Sequence, residues 1–319
     1  MAGVLLEKIK DPKLTKIIGS IPTGDLSKFK EIQKQFPNYD PSFLWLLGYQ
    51  GANALEVFRY IEANYQKFHQ VLDSGILKSL STLGNFDARM WEMILCDCLA
   101  SIGKLEAKEK SGADFMLVTS KGEKIQVEAV TPNEADNKDL RSIKPDFSKE
   151  VDIGLSGNIE ELELPILLRV FDSFRKKEGK YRKDIPLIIA INSYKTVGVI
   201  SIDKYILRRI LFGLGFETIS LKSGEHGLQQ NTHLDGFPVA VFRDSSYEHI
   251  SGVIYTSQNP IGLIPDGFGW FNQGITYVSN PLAKYKVDFD PAFFRRIECD
   301  NNLYQEKEAL EVFKSLAFD

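Results

Sequence analysis

Residues 123–130, EKIQVEAV, have the pattern of a β-strand in which apolar side chains surround a single acidic one. The apolar residues on both sides of Glu128 favour a buried strand, where a carboxylate is costly without a partner. The preceding stretch, ADFMLVT at residues 113–119, has the same strand character and contains Asp114. If these two strands pair, Asp114 is a candidate partner for the carboxylate of Glu128.

The loop between the two stretches predicts how they pair. Its three residues, Ser-Lys-Gly, match a common β-hairpin connection with Gly122 at the left-handed position. This loop sets Thr119 opposite Glu123, and counting back through the hairpin places Asp114 opposite Glu128 on one face. The remaining predicted pairs are Met116 with Gln126, Phe115 with Val127, and Leu117 with Ile125.

Two carboxylates directly opposite each other repel in a sheet unless something neutralises them. Oxygen ligands at neighbouring positions suit a divalent cation such as Mg²⁺ or Mn²⁺. The pattern therefore predicts a metal site formed by Asp114 and Glu128. The alternative is a register shifted by one residue, in which case the pair faces water.

The composition limits the partners of the chain. The formal net charge of −4 over 319 residues argues against a general polyanion-binding protein and confines any nucleic-acid contact to a local basic patch. Three cysteines without disulfide spacing suit a reducing compartment. The apolar stretches are too short to span a bilayer. We therefore expect a cytoplasmic protein with no membrane contact.

The order of elements around the hairpin predicts a mixed α/β fold. Residues 1–80 have helical apolar spacing and no strand signals. A helix from Asp87 to Ile102 follows, then three strands, then a helix from Pro165 to about Lys183 and the buried strand PLIIAIN. Further strands are expected at ETISLK, PVAVFRD and SGVIYTS.

This succession divides the chain into three parts. Residues 1–80 are expected to be a helical N-terminal region, and residues 81–285 an α/β core with the order helix, three strands, helix, strand. Residues 286–319 are expected to be a C-terminal helical tail.

Two helices bring further polar residues towards the strands. Glu92 lies at the border of the apolar stripe of the helix 87–102, from where it can reach the edge of the sheet. One face of the later helix suits a phosphate, with polar and basic residues at steps of four, four and three, namely Arg169, Ser173, Lys177 and Lys180. In the alternative interpretation, Glu92 is an ordinary surface acid and the basic residues are a solvated helix end.

The succession of the helix with Glu92, GADF with Asp114, IQVEAV with Glu128 and then LLRVFDSFRKKEGKYRKDIPLIIAIN resembles the PD-(D/E)XK nuclease superfamily. It is more closely similar to a poorly characterised bacterial group with WEL, GPDF-like and IWIEAVAP-like motifs, which here are WEM, GADF and IQVEAVTP. NPLAKY at residues 280–285 is similar to the end of that group's domain. The resemblance covers roughly residues 84 to 285.

This resemblance implies a restriction-endonuclease-like fold and a metal-dependent endonuclease that hydrolyses phosphodiester bonds, with DNA favoured over RNA. It implies Asp114 and Glu128 as ligands of Mg²⁺ or Mn²⁺, and Glu92 as a further ligand or a water-positioning acid. Such a metal polarises the phosphoryl oxygen and activates water. Val130 departs from the pattern, because a lysine is expected two residues after Glu128.

The superfamily sometimes takes that lysine from the following helix, which makes Lys177 the first candidate and Lys180 the second. Gln126, on the face of Glu128, can assist with a hydrogen bond, and Arg169 and Ser173 belong to the phosphate-binding face. The alternative is a catalytically inactive member of the fold that serves as a binding or assembly module, with the N-terminal helices as the partner surface. A homodimer would suit double-strand cutting.

Overall fold

The computed structural model describes residues 14–17, 20–21, 26–48, 52–107, 112–132, 170, 172, 181–194, 203–219, 226–230, 232–234, 237–264, 274–289, 294–300 and 303–307. These residues form an α/β structure with a mixed sheet and several helices, which confirms the predicted class at this level.

The helices and strands are named in chain order. The described α-helices are α1 (Leu26–Gln35), α2 (Pro41–Gly48), α3 (Ala52–Phe68), α4 (Ile76–Leu80), α5 (Phe86–Ile102) and α6 (Asp203–Phe212). The first six strands are β1 (Lys104–Glu106), β2 (Phe115–Val118), β3 (Lys124–Val130), β4 (Leu187–Asn192), β5 (Leu214–Ile219) and β6 (His226–Gln230). The other six are β7 (His233–Leu234), β8 (Phe237–Pro238), β9 (Ile250–Thr256), β10 (Thr276–Ser279), β11 (Arg295–Asp300) and β12 (Leu303–Lys307).

The main sheet has the strand order β1, β2, β3, β4, β9, β10, β11, β12. The first three strands run antiparallel, while β4 is parallel to β3 and β9 is parallel to β4. The predicted helix 87–102, the three strands and PLIIAIN correspond to α5 and β1 to β4. Of the helix predicted between β3 and β4, the structure describes Val170 and Asp172, both helical.

That helix does not reach Lys183 as predicted, because the segment beginning at Tyr181 is not helical. The backbone of Arg182 bonds the side-chain amide of Gln126 in β3. This contact with a neighbouring strand takes the place of helical hydrogen bonds and leads the chain into β4.

Two hydrophobic clusters cover the two faces of the sheet. Ile188 and Ala190 of β4 belong to the first cluster, whereas Leu187, Ile189 and Ile191 belong to the second. Successive residues of a strand point to opposite faces, so this division is that of a strand buried on both sides. Every residue of β4 is buried, as the uninterrupted apolar run predicts.

The described N-terminal helices share the first cluster with α5. Asp40, which is 2% exposed, connects the two parts. Its carboxylate accepts hydrogen bonds from the backbone N–H groups of Ser42 at 2.9 Å, Gly84 at 2.9 Å and Phe86 at 3.4 Å. Because Ser42 lies in the first turn of α2 and Phe86 opens α5, one buried side chain fixes the starts of both helices.

Two further predictions of secondary structure are wrong. PVAVFRD, expected to be a strand, contains the end of β8 and then a 3-10 helix at Val241–Arg243. Ala240 has a φ of 63°, and the turn it makes directs Val241 and Phe242 into the second cluster. Those two side chains are buried one after the other, which a strand with one covered face does not allow.

The expected helical tail at 286–319 instead contributes two strands where it is described. β11 is parallel to β10, and β12 returns antiparallel along β11. The eight-stranded sheet therefore extends beyond residue 285. No helix among the described residues is long and apolar enough to cross a membrane.

Candidate active site

The hairpin of β2 and β3 has the register that its loop predicts. Met116 pairs with Gln126, Phe115 with Val127 and Leu117 with Ile125. The backbone N–H of Thr119 bonds the carbonyl of Glu123 at 2.9 Å, and Gly122 has a φ of 81°. The left-handed conformation is inexpensive for glycine, so the three-residue loop fixes the register.

This register brings Asp114 beside Glu128. Asp114 immediately precedes β2, and its Oδ2 accepts a hydrogen bond from the backbone N–H of Ala129 at 3.0 Å. Glu128 lies in β3 and is 6% exposed. The alternative with both carboxylates facing water therefore does not apply to Glu128, whose charge is buried next to a second acidic residue.

Tyr181 makes a hydrogen bond with the side chain of Glu128. Burial, followed by the charge of Glu128, this hydrogen bond and the charge of Asp114, raises the pKa of Tyr181 well above its ordinary value. A phenol with a raised pKa keeps its proton and donates a hydrogen bond to the carboxylate. Tyr181 therefore stabilises the charged form of Glu128.

Gln126 holds the segment that carries Tyr181. Its Nε2 donates to the carbonyl of Arg182 at 3.0 Å, and its Oε1 accepts from the N–H of Arg182 at 3.3 Å. The backbone N–H of Gln126 also bonds the carbonyl of Pro186 at 2.9 Å. Both ends of the amide of Gln126, a predicted substrate contact, are thus used to position the chain beside Glu128.

Glu92 lies in α5, where it forms an ion pair with Arg89. Arg89 Nη1 is 2.6 Å from Oε1 and 2.8 Å from Oε2 of Glu92. Arg89 Nε donates to Ser79 Oγ at 3.0 Å. Burial lowers the pKa of Arg89, but the hydrogen bond and charge of Glu92, with smaller contributions from Asp73 and Asp114, outweigh burial and raise it.

The sheet separates Glu92 from Glu128. The buried apolar residues of helix α5 and Val127 of β3 belong to the same first cluster. Glu128 alternates with Val127 and therefore lies on the opposite face, like Val130, which belongs to the second cluster. The charge of Asp114 contributes to the raised pKa of both Arg89 and Tyr181.

The position of the missing lysine is part of the core. Val130 is 7% exposed and packs in the second cluster beside Val170 and Ile191. A cation for the site must therefore come from elsewhere in the chain. The predicted basic face, Arg169, Ser173, Lys177 and Lys180, lies outside the described residues.

A hard divalent cation fits the pair Asp114 and Glu128, since carboxylate oxygens are the ligands that Mg²⁺ and Mn²⁺ prefer. Glu92 does not extend this pair in the observed conformation, because Arg89 binds both of its oxygens. Within the described ranges, no group of three or more His, Cys, Asp and Glu side chains is arranged to hold a metal. A cation held by the pair would take its remaining ligands from water or a substrate phosphate.

Two residues of the site are absent from the sequence-based set. Arg89 precedes Glu92 by three positions on one helix, a spacing that signals an ion pair and that was available from the sequence. Tyr181 is separated from Glu128 by more than fifty residues and follows a basic stretch. No local pattern relates Tyr181 to β3, so its role becomes visible only in the fold.

Comparison with protein-family models, with curated proteins and with solved structures found no match for this chain. Its function therefore has to be inferred from the residues of the site.

Proposed function

We propose that this chain is a cytoplasmic, metal-dependent endonuclease of the PD-(D/E)XK type, which hydrolyses phosphodiester bonds in DNA. The observation that carries the proposal is the hairpin register, which sets the carboxylate of Asp114 beside the buried carboxylate of Glu128. Two adjacent acids, one of them buried, favour occupation by a cation. The order of α5 and β1 to β4 also supports the restriction-endonuclease-like arrangement.

In this proposal Asp114 and Glu128 hold Mg²⁺ or Mn²⁺. A cation held by these two residues would polarise a phosphoryl oxygen and lower the pKa of a bound water. Tyr181 donates to Glu128 and orients its carboxylate, as outer partners of metal ligands do. Gln126 fixes the backbone that carries Tyr181. Lys177 is the first candidate for the cation that orients the nucleophile, and Lys180 the second.

A second candidate function is favoured by Val130. An apolar residue in the core occupies the position where the pattern expects a lysine. A protein that keeps the nuclease fold but no longer cleaves DNA would have an apolar residue in place of this lysine. It would act as a binding or assembly module, through the N-terminal helices or as a homodimer.

Metal binding and cleavage distinguish these candidates. Wild type, Asp114→Asn and Glu128→Gln are titrated with Mn²⁺ by calorimetry, and the same proteins are assayed for plasmid nicking. The nuclease should bind Mn²⁺ and nick DNA, and each substitution should lower both by about 100-fold or more, since even an outer partner of a metal ligand is worth 10–100-fold.

Glu123→Gln is the matched control, because Glu123 is an exposed carboxylate of the same hairpin. It should bind Mn²⁺ and nick DNA like wild type. Thermal melts followed by circular dichroism establish that each variant is folded. Cleavage that survives in folded Glu128→Gln contradicts the proposal. Metal binding without any cleavage by wild type favours the binding module.

A further inference from the structure

Arg89, the ion-pair partner of Glu92, has one guanidinium nitrogen that makes no hydrogen bond to the described residues. Nη1 is used by Glu92 and Nε by Ser79. Nη2 has no hydrogen-bond partner among the residues that the structure describes. The side chain of Arg89 is 29% exposed to solvent.

Two other described cations near the hairpin, Lys124 and Arg182, have acidic partners outside the site. Lys124 Nζ is 2.7 Å from Glu106 Oε2. Arg182 Nη2 is 2.6 Å from Asp184 Oδ2, and both side chains are more than half exposed. Arg89 differs because its partner, Glu92, is itself one of the predicted site residues. The charge of Asp114 also contributes to the raised pKa of Arg89, which links the guanidinium to one of the two proposed metal ligands.

We propose that Arg89 contacts a backbone phosphate of the nucleic acid through Nη2, while Glu92 and Ser79 hold its guanidinium in place. This inference rests on the proposed nuclease function and assigns Glu92 to positioning Arg89 instead of binding metal. A guanidinium suits this role because its planar array of N–H groups can bond a carboxylate and a phosphate at the same time. Ser79 belongs to α4, so the N-terminal helical region contributes to substrate binding.

The full chain and three variants test this assignment. Arg89→Gln removes the charge, Arg89→Lys keeps it, and Arg59→Gln is the control because Arg59 is an exposed arginine of α3. Plasmid nicking gives kcat and KM, calorimetry gives Mn²⁺ affinity, and anisotropy of a labelled DNA duplex gives Kd at several salt concentrations.

Arg89→Gln should lower kcat/KM for nicking by about 10–100-fold, the effect of losing one charge-assisted hydrogen bond to the substrate. It should also reduce the slope of log Kd against log salt by about one, because one phosphate contact is lost. Its Mn²⁺ affinity should not fall. Arg89→Lys should recover part of the rate and the slope, and Arg59→Gln should behave as wild type in every measurement.

The outcomes distinguish a failure of the Arg89 assignment from a failure of the proposed nuclease function. If wild type neither binds Mn²⁺ nor nicks DNA, the nuclease proposal fails and the phosphate role of Arg89 falls with it. If wild type does both and Arg89→Gln keeps the wild-type rate and salt slope, only the assignment of Arg89 is overturned. A loss of Mn²⁺ affinity in folded Arg89→Gln would also overturn it, because Arg89 would then support the metal ligands.

Discussion

The hydroxyl group of Tyr181 is the smallest part of the site whose role can be tested alone. It bonds Glu128, and its raised pKa keeps it a donor. Tyr181→Phe retains the ring that packs against the second cluster and removes only this donor. If Glu128 is a metal ligand, we expect Mn²⁺ affinity to fall by about 10–100-fold, the effect of losing an outer partner. Calorimetric titration measures it.

Tyr285→Phe is the control for that change, because Tyr285 is a partly buried tyrosine whose ring lies under Lys284 Nζ at 5.2 Å. It should leave Mn²⁺ affinity unchanged. Equal affinities for wild type and Tyr181→Phe would show that the hydroxyl group does not support a metal ligand.

At the scale of elements, Gly103 sets how closely α5 approaches the hairpin. A Cβ at this position would lie 2.6 Å from the carbonyl oxygen of Val118 and 2.8 Å from Leu117 Cδ1. Because part of this obstacle is backbone, α5 or β2 must move. We expect Gly103→Ala to lower the free energy of unfolding by about 2–3 kcal/mol, within the range for overpacking. Denaturant unfolding followed by circular dichroism measures the loss.

Gly122→Ala provides the comparison within the same unit. A Cβ there meets nothing within 4 Å, but the φ of 81° strains any L side chain. The expected loss is about 1 kcal/mol, from backbone strain alone. A Gly103→Ala variant no less stable than Gly122→Ala would contradict the close approach of α5 and β2.

The elements also show what the sequence can and cannot predict. The register of β2 and β3 is a local property of a three-residue loop and an alternating pattern, so it could be counted from residue types. β11 and β12 were missed because LYQEK has no apolar–polar alternation and no glycine marks the turn before it, so the local pattern does not predict a hairpin. Tyr181 could not be assigned, because its approach to Glu128 depends on long-range pairing of the chain.

At the scale of the whole molecule, the N-terminal helices share one core with the sheet. Tyr60 and Phe43 of these helices are buried in the same cluster as Trp91 of α5. Each large side chain uncovered by truncation costs about 1.5–3 kcal/mol, and a domain has only about 5–15 kcal/mol in total. We expect the fragment 81–319 not to unfold cooperatively on its own, as measured by denaturant titration.

Residues 1–80 added as a separate chain should restore a cooperative transition to this fragment, because the two parts bury complementary apolar surfaces. A fragment 81–319 that is soluble and cooperative by itself would instead show an independent core. In that case the N-terminal helices would be an appended unit, and the deletion could be used directly to test them as a partner surface.

The junction between these two parts also predicts how stability depends on pH. Burial, followed by the charge of Asp97, raises the pKa of Tyr60, Cys96 and Cys98 above their ordinary values. The folded chain keeps protons that the unfolded chain releases, so this contribution to stability is complete below the ordinary values and is lost as pH rises towards the folded ones. For the thiols, the loss begins near their ordinary value of 9.0.

Denaturant midpoints measured from neutral pH to about pH 10 should therefore fall, and the midpoint of the double variant Cys96→Ala, Cys98→Ala should fall less steeply.

The same thiols should resist iodoacetamide in the folded chain and react in denaturant, because a buried thiol gives little thiolate. Peptide mass spectrometry follows each cysteine separately. Rapid labelling of Cys96 or Cys98 in the folded protein would mean that α3 and α5 separate readily, which would contradict a tightly packed junction between the two parts.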